Sequence, residues 1–157
     1  MDIGSGKSYP SNALSNFAPH PFELDEIKIN SMEGFLQSLK FKSIEMQEEI
    51  CKLVGYTAKK KGKEKNWQKT QTLYWKGIPI KRKSKEYQQL LDRAYTQLYK
   101  NKKFKKALEA TNNAVLTHTI GKLKESEIVL TKSEFCSRLM KLRDFGTLNN
   151  IENKSLF

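Results

Sequence analysis

The chain is poor in the residues that most often hold metals. Its 157 residues include two cysteines, Cys51 and Cys136, and two histidines, His20 and His118. None falls in a C-x-x-C or H-x-x-x-H spacing, and a zinc centre would have to gather all four, so neither a metal nor a cofactor is expected. Both cysteines lie among helical apolar positions and read as reduced core residues. Long apolar runs are also missing: no stretch approaches the ~18 residues of a membrane span. The opening MDIGSGKSYP lacks the charged-then-apolar layout of a signal peptide. A cytoplasmic protein with no membrane partner is the expectation. Acidic residues are scarce beside basic ones, 17 against 29, which leaves a formal charge of +12. Such a field attracts anions: nucleic acid, a nucleotide or a phosphosugar. The basic residues are overwhelmingly lysine, whereas arginine forks are the usual readers of base edges, so sequence-specific DNA recognition loses weight.

What is present suggests one domain, since single domains commonly run ~100–200 residues. The polar residues 1–13 read as an irregular lead-in, and 146–157 as a flexible tail. PFELDEIKI (21–29) alternates apolar residues around Asp25-Glu26, the pattern of a hairpin or a kinked strand. Ser31 is a candidate N-cap for a helix over 32–42, and a second helix spans 45–54, with Gly55 as its stop. A short helix around Thr57 leads into the lysine cluster. TLYWKGIPI (72–80) reads as extended around a Lys-Gly turn. Apolar residues recur every three or four positions over 85–100, the clearest helix in the chain. FKKALEA (104–110) gives another. AVLTHT (114–119) and EIVL (127–130) read as strands. Thr131 and Glu134 form a T-x-x-E capping box for a last helix to 143. The sum is an α+β domain, mainly helical, with small strand groups.

Two motifs look functional and have bland explanations. GSGKS (4–8) resembles the end of a phosphate-binding P-loop. That motif needs a glycine where Met1 stands and a strand leading in, so a nucleoside triphosphatase is rejected. AKKKGKEK (58–65), KRK (81–83) and KNKKFKK (100–106) could together form a nucleic-acid stripe or simply a solvated surface.

LSNF (14–17), PF (21–22) and SMEGFLQSLKF (31–41) follow one another at close spacing. In this order they resemble the opening of the NADAR family, the NAD- and ADP-ribose-associated domains. Leu14, Ser15, Asn16, Phe17, Pro21, Phe22, Ser31, Glu33, Phe35, Gln37 and Lys40 fit the family pattern. A looser match continues through Ala58, Lys59 and Gly62, then a tryptophan and the helix region ending near Thr111. The family's late Asp-x-x-Trp-Gly signature is absent, and LTHTIGKLKESEIVL (116–130) stands in its place, which marks a divergent branch. The resemblance implies a NADAR-like single domain over 14–145. It also implies a hydrolase acting on N-glycosyl bonds, an N-glycosidase or ADP-ribosyl-glycohydrolase-like enzyme. The expected substrate is a phosphorylated nucleoside-like or ADP-ribose-containing molecule, free or carried as a modified base in nucleic acid.

The chemistry accounts for the residue types. Breaking a C–N glycosidic bond develops positive charge on the sugar, which a rigidly held carboxylate can stabilise while it orients water. Glu33, in the first turn of a helix, has a suitable position, and the helix dipole is expected to keep it ionised. Phe17 and Trp75, with Trp67 as second choice, could stack on the base. Asn16 could bind a base edge or a ribose hydroxyl. Lys40, two helical turns after Glu33, and Lys59, with Lys60 and Lys61 behind it, could take a phosphate. His118, Glu125 and Glu127 are candidates for a second polar catalytic group, with His118 preferred because imidazole titrates near neutrality. The alternatives are a catalytically inactive nucleotide or ADP-ribose binding module, and a basic nucleic-acid-binding protein.

Overall fold

The computed structural model describes residues 1–148. From residue 149 onward, the tail expected to be flexible lies outside the described residues. The elements are α1 (Ser11–Leu14), β1 (Phe22–Leu24), β2 (Ile27–Ile29), α2 (Met32–Ser38), α3 (Ile44–Cys51), α4 (Gly55–Gly62), a 3-10 turn (Trp67–Lys69), β3 (Thr72–Trp75), β4 (Ile78–Lys81), α5 (Lys85–Leu98), α6 (Lys102–Glu109) and α7 (Lys132–Phe145). β1 pairs antiparallel with β2 and β3 with β4, giving two separate two-stranded sheets. This is the α+β, mainly helical architecture expected.

Helix α2 lies at the centre. Ser31 caps it by accepting the Gly34 amide at 3.0 Å, and every residue from Met32 to Ser38 is buried. A helix buried on all sides has no solvent face to absorb polar side chains, so Glu33 and Gln37 must be met from within the protein. α3, α4 and β2 pack around α2, while α5 and α7 complete the far side of the core. Deep burial of Phe35, Leu36, Leu39, Leu91, Tyr95, Phe104 and Leu139 provides the main driving force, at about 1.5–3 kcal/mol for each large apolar side chain.

Several boundaries differ from expectation. α2 ends at Ser38, not 42: the amides of Leu39, Lys40 and Phe41 bond to carbonyls three residues back, a tightened 3-10 turn. α3 ends at Cys51, and Gly55, with φ of +53°, opens α4 where a helix stop was expected. Residues 114–119 and 127–130 are not strands. The first contributes one isolated bridge, Asp2 to Thr117. The second has no strand neighbour, and side chains satisfy its carbonyls: Arg82 Nε donates to Ile128 O at 2.9 Å, and the Tyr87 hydroxyl donates to Val129 O at 2.5 Å. The apolar, β-branched composition of 128–130 serves burial on a cavity wall, which sequence pattern alone does not separate from a strand. Residues 1–13, read as a lead-in, carry α1 and a core residue, Ile3, whose amide donates to Thr117 O at 2.8 Å. Both cysteines are free and buried, with thiols pushed up to about 11 by burial, consistent with inert core residues.

Candidate active site

The LSNF loop and the start of α2 are built as one piece. The Glu33 amide, which has no partner within the helix, donates to Asn16 O at 2.9 Å. The Asn16 side chain is held from the opposite side of the core, its Oδ1 accepting the Tyr95 hydroxyl at 2.8 Å. Phe17 is half-buried beside Gly55, and its amide donates to Ser15 Oγ at 3.2 Å. The motif is thus a structural clamp as well as a candidate binding surface.

Asn16, Phe17, Glu33, Lys59 and His118 line a single cavity of about 280 Å³. Five of the seven residues expected from the sequence therefore meet there. Gln37, Phe135 and the 128–130 segment also line it. Glu33 is 9% exposed, and its Oε1 accepts Gln37 Nε2 at 3.1 Å. Burial drives its carboxyl above the usual glutamate range, and the Gln37 bond with the charges of Lys59, Lys40 and His118 offsets this only in part. This corrects the expectation that the helix dipole would keep the carboxyl readily ionised: removal from water outweighs it. His118 Nδ1 lies 2.8 Å from Ile3 O. A carbonyl can only accept, so Nδ1 is the donor in this contact and Nε2 is left for other partners. The ring also packs edge-on against Phe135.

The other two expected residues lie elsewhere. Lys40 does not line the cavity, because the tightened turn after Ser38 ends the regular helix that would have placed it two turns above Glu33. It stays within electrostatic reach: burial pushes its ammonium down while the Glu33 carboxylate pushes it back up. Trp75 is 5% exposed, stands edge-on to Phe35 at 5.2 Å and donates its indole N–H to Asp25 Oδ2 at 2.8 Å. It borders a separate groove between β4 and α5, and Trp67, the second choice, is also buried in the core. Trp75→Phe is accordingly expected to cost about 1–2 kcal/mol of stability through the lost bond to Asp25, with ligand affinity at the Glu33 cavity unchanged. Thermal melts beside binding isotherms check both halves.

Gln37 belongs to the matched motif but not to the expected site residues, although its i+4 spacing from Glu33 is the signal for a helical side-chain pair. It also explains Gly62. A Cβ on Gly62 would sit 1.7 Å from Gln37 Oε1, so α4 can approach α2 only with glycine there. Gly62→Ala should swing the amide away and release Glu33 from its hydrogen bond. The expected outcome is a loss of about 1–3 kcal/mol from overpacking. The Glu33 carboxyl should also move to still higher pKa, seen as displacement of the acid limb of any pH–rate profile toward higher pH.

The solved NMR structure of the E. coli protein YbiA superposes with a TM-score of 0.61 at 17% identity, covering 99% of this chain and 86% of that one. The fold is YbiA-like. The model of the bacteriophage protein GP30.3 family matches residues 8–144, and the chain belongs to that family. It is 40% identical over 147 residues to a protein of enterobacteria phage T4 described as an uncharacterized 17.1 kDa protein in the Gp30-rIII intergenic region, spanning 92% of this chain and 97% of the relative.

Proposed function

We propose that this protein is an N-glycosidase that hydrolyses the C–N bond between a ribosyl group and a base in a phosphorylated or ADP-ribosylated substrate. The supporting observation is a buried carboxylate, Glu33, in a cavity that also presents an amide, an aromatic face, a cation and an imidazole. In this reading the base departs with the bonding electron pair, and Glu33 stabilises the positive charge left on the sugar and aligns the attacking water. Phe17 offers a face to the base. Asn16, whose Oδ1 is taken by Tyr95, has an NH₂ group without an acceptor among the described residues, able to donate to a base edge or ribose hydroxyl. His118 Nε2 can receive a proton, and Lys59 faces a phosphate.

One observation favours a binding module instead. Glu33 is the sole carboxylate lining the cavity among the described residues, and the late family signature is missing. Release of free base from ribosylated pyrimidines, NAD, ADP-ribose or ADP-ribosylated DNA, followed over time with Glu33→Gln as control, separates the readings. Tight binding without base release would identify a module. The nucleic-acid stripe is weakened because Arg82, in the middle of KRK, is fully buried. Binding to arbitrary DNA that falls steeply with salt would revive it.

A further inference from the structure

The turn Gly4–Lys7, set aside as a P-loop, lies at the Glu33 cavity: Gly4 and Ser5 both line it. Neither glycine has a reason to be glycine that the chain itself supplies. Neither adopts a positive φ. A Cβ on Gly6 would meet nothing within 4 Å, and one on Gly4 would meet only the flexible Lys7 side chain at 3.4 Å. In most tight turns, left-handed backbone or internal crowding explains the glycine, and here both fail. Close approach of a group from outside the chain is a reason the open space at both positions allows.

The main-chain donors point to the same conclusion. Lys7 N is used, donating to Gly4 O at 3.1 Å, whereas the amides of Gly4, Ser5 and Gly6 have no acceptor among the described residues. Gly4 is buried. A buried amide with no partner is rare in folded proteins and costs stability until an acceptor arrives. Successive free amides in a glycine-rich turn form a concavity suited to an anion's oxygens. Lys59, on the same cavity, supplies positive charge. The nearby Asp2 carboxylate is already occupied by the Thr119 amide and hydroxyl and lies 3.6 Å from Lys7 Nζ, which leaves the turn less exposed to its repulsion.

We propose that the Gly4–Gly6 turn is the phosphate subsite of the Glu33 cavity, taking phosphate oxygens on its main-chain amides. This rests on reading the cavity as the ligand site and does not require hydrolysis. Lys7, drawn toward Asp2, does not play the P-loop lysine, so the subsite binds a phosphate group without acting on it.

The test is titration of the full chain with inorganic phosphate, observed through backbone amide resonances at fixed ionic strength. Saturable downfield shifts of the Gly4, Ser5 and Gly6 amide protons are expected. Gly4→Ala should weaken phosphate binding about tenfold, the scale of one charge-assisted hydrogen bond, while Tm stays level because the chain has room for the methyl. Lys102→Ala, at the start of α6, should change neither. Shifts spread evenly over the lysine-rich surface with none at residues 4–6, or unaltered affinity in Gly4→Ala, would overturn the proposal. Should Gly4→Ala lower Tm, phosphate titration of Gly6→Ala, where a Cβ meets nothing, decides in its place. Phosphate binding at the turn with no base release from any substrate would leave the subsite standing and refute the glycosidase reading alone.

Discussion

Glu33→Gln is expected to lower turnover by 10²–10⁴-fold, the range for removing a positioned acid–base group, while making the protein more stable at neutral pH. The two effects have one cause. Burial raises the Glu33 carboxyl above its ordinary range, so the folded state favours the neutral acid. For a group raised in this way, the stabilisation is fully present below the unfolded pKa near 4.5. It is lost as pH climbs through the folded value, because the carboxylate must then ionise out of reach of water. Glutamine keeps the shape, can still accept from Gln37 Nε2 and never ionises. Its advantage should therefore be absent at pH 4 and present at pH 8, at about 1 kcal/mol or 2–4 °C in Tm. Loss of the counter-charge for Lys40 and Lys59 offsets some of it. Thermal melts across this range, beside base-release rates, check the pair. A structural glutamate would show the reverse: turnover retained, or a Tm well below wild type at every pH. Wild-type activity should rise with pH through an acid limb displaced above the ordinary glutamate range if, as proposed, the ionised form carries the chemistry.

Much of this arrangement is legible in the sequence because it is local. Ser31 caps α2, Ser84 caps α5, and the Thr131–Glu134 box starts α7, all through contacts three residues apart. The hairpins at Asp25-Glu26 and Lys76-Gly77 come from turn residues that adopt positive φ. The LSNF and S-x-E segments locate Glu33, Asn16 and Phe17. What stays hidden is what the chain does at long range. The cavity wall at 128–130 has strand composition and no strand, because its carbonyls are taken by side chains 42 and 46 residues away. Trp75 reads as a stacking platform and is spent on Asp25, 50 residues distant. Gly4 and Ser5 read as inert in a list of motifs and reach the cavity beside Ile3, which is pinned between Thr117 and His118. Helix length matters equally: losing a few residues from the end of α2 is enough to take Lys40 off the cavity.

Arg82 is the sharpest case, and it carries the largest expected loss of stability. Within KRK it reads as one more surface cation, yet its side chain is 0% exposed. Its NH1 and NH2 groups donate to the two Glu134 oxygens at 3.1 and 2.6 Å, Nε donates to Ile128 O, and the guanidinium lies 4.7 Å from the Tyr87 ring. Burial resists ionisation of Glu134, but bonds from Arg82, the Thr131 amide and Gln88 outweigh it and hold the carboxyl below its ordinary range. Removing one partner of such a buried pair leaves the other charge uncompensated, at about 3–5 kcal/mol. Arg82→Met keeps the stem and volume and should lose that amount, roughly 10 °C in Tm for a domain of this size. The loss should shrink as pH falls below 4.5, where Glu134 can take a proton and no longer needs its cation. Arg82→Met with Glu134→Gln should recover part of the loss at neutral pH, because no charge is then stranded. Ligand affinity should fall in the single variant even where it remains folded. Arg82 tethers Ile128, which lines the cavity that holds Glu33. Equal stability of Arg82→Met and wild type at pH 7 would return this residue to the solvated surface that its neighbours in the sequence suggest.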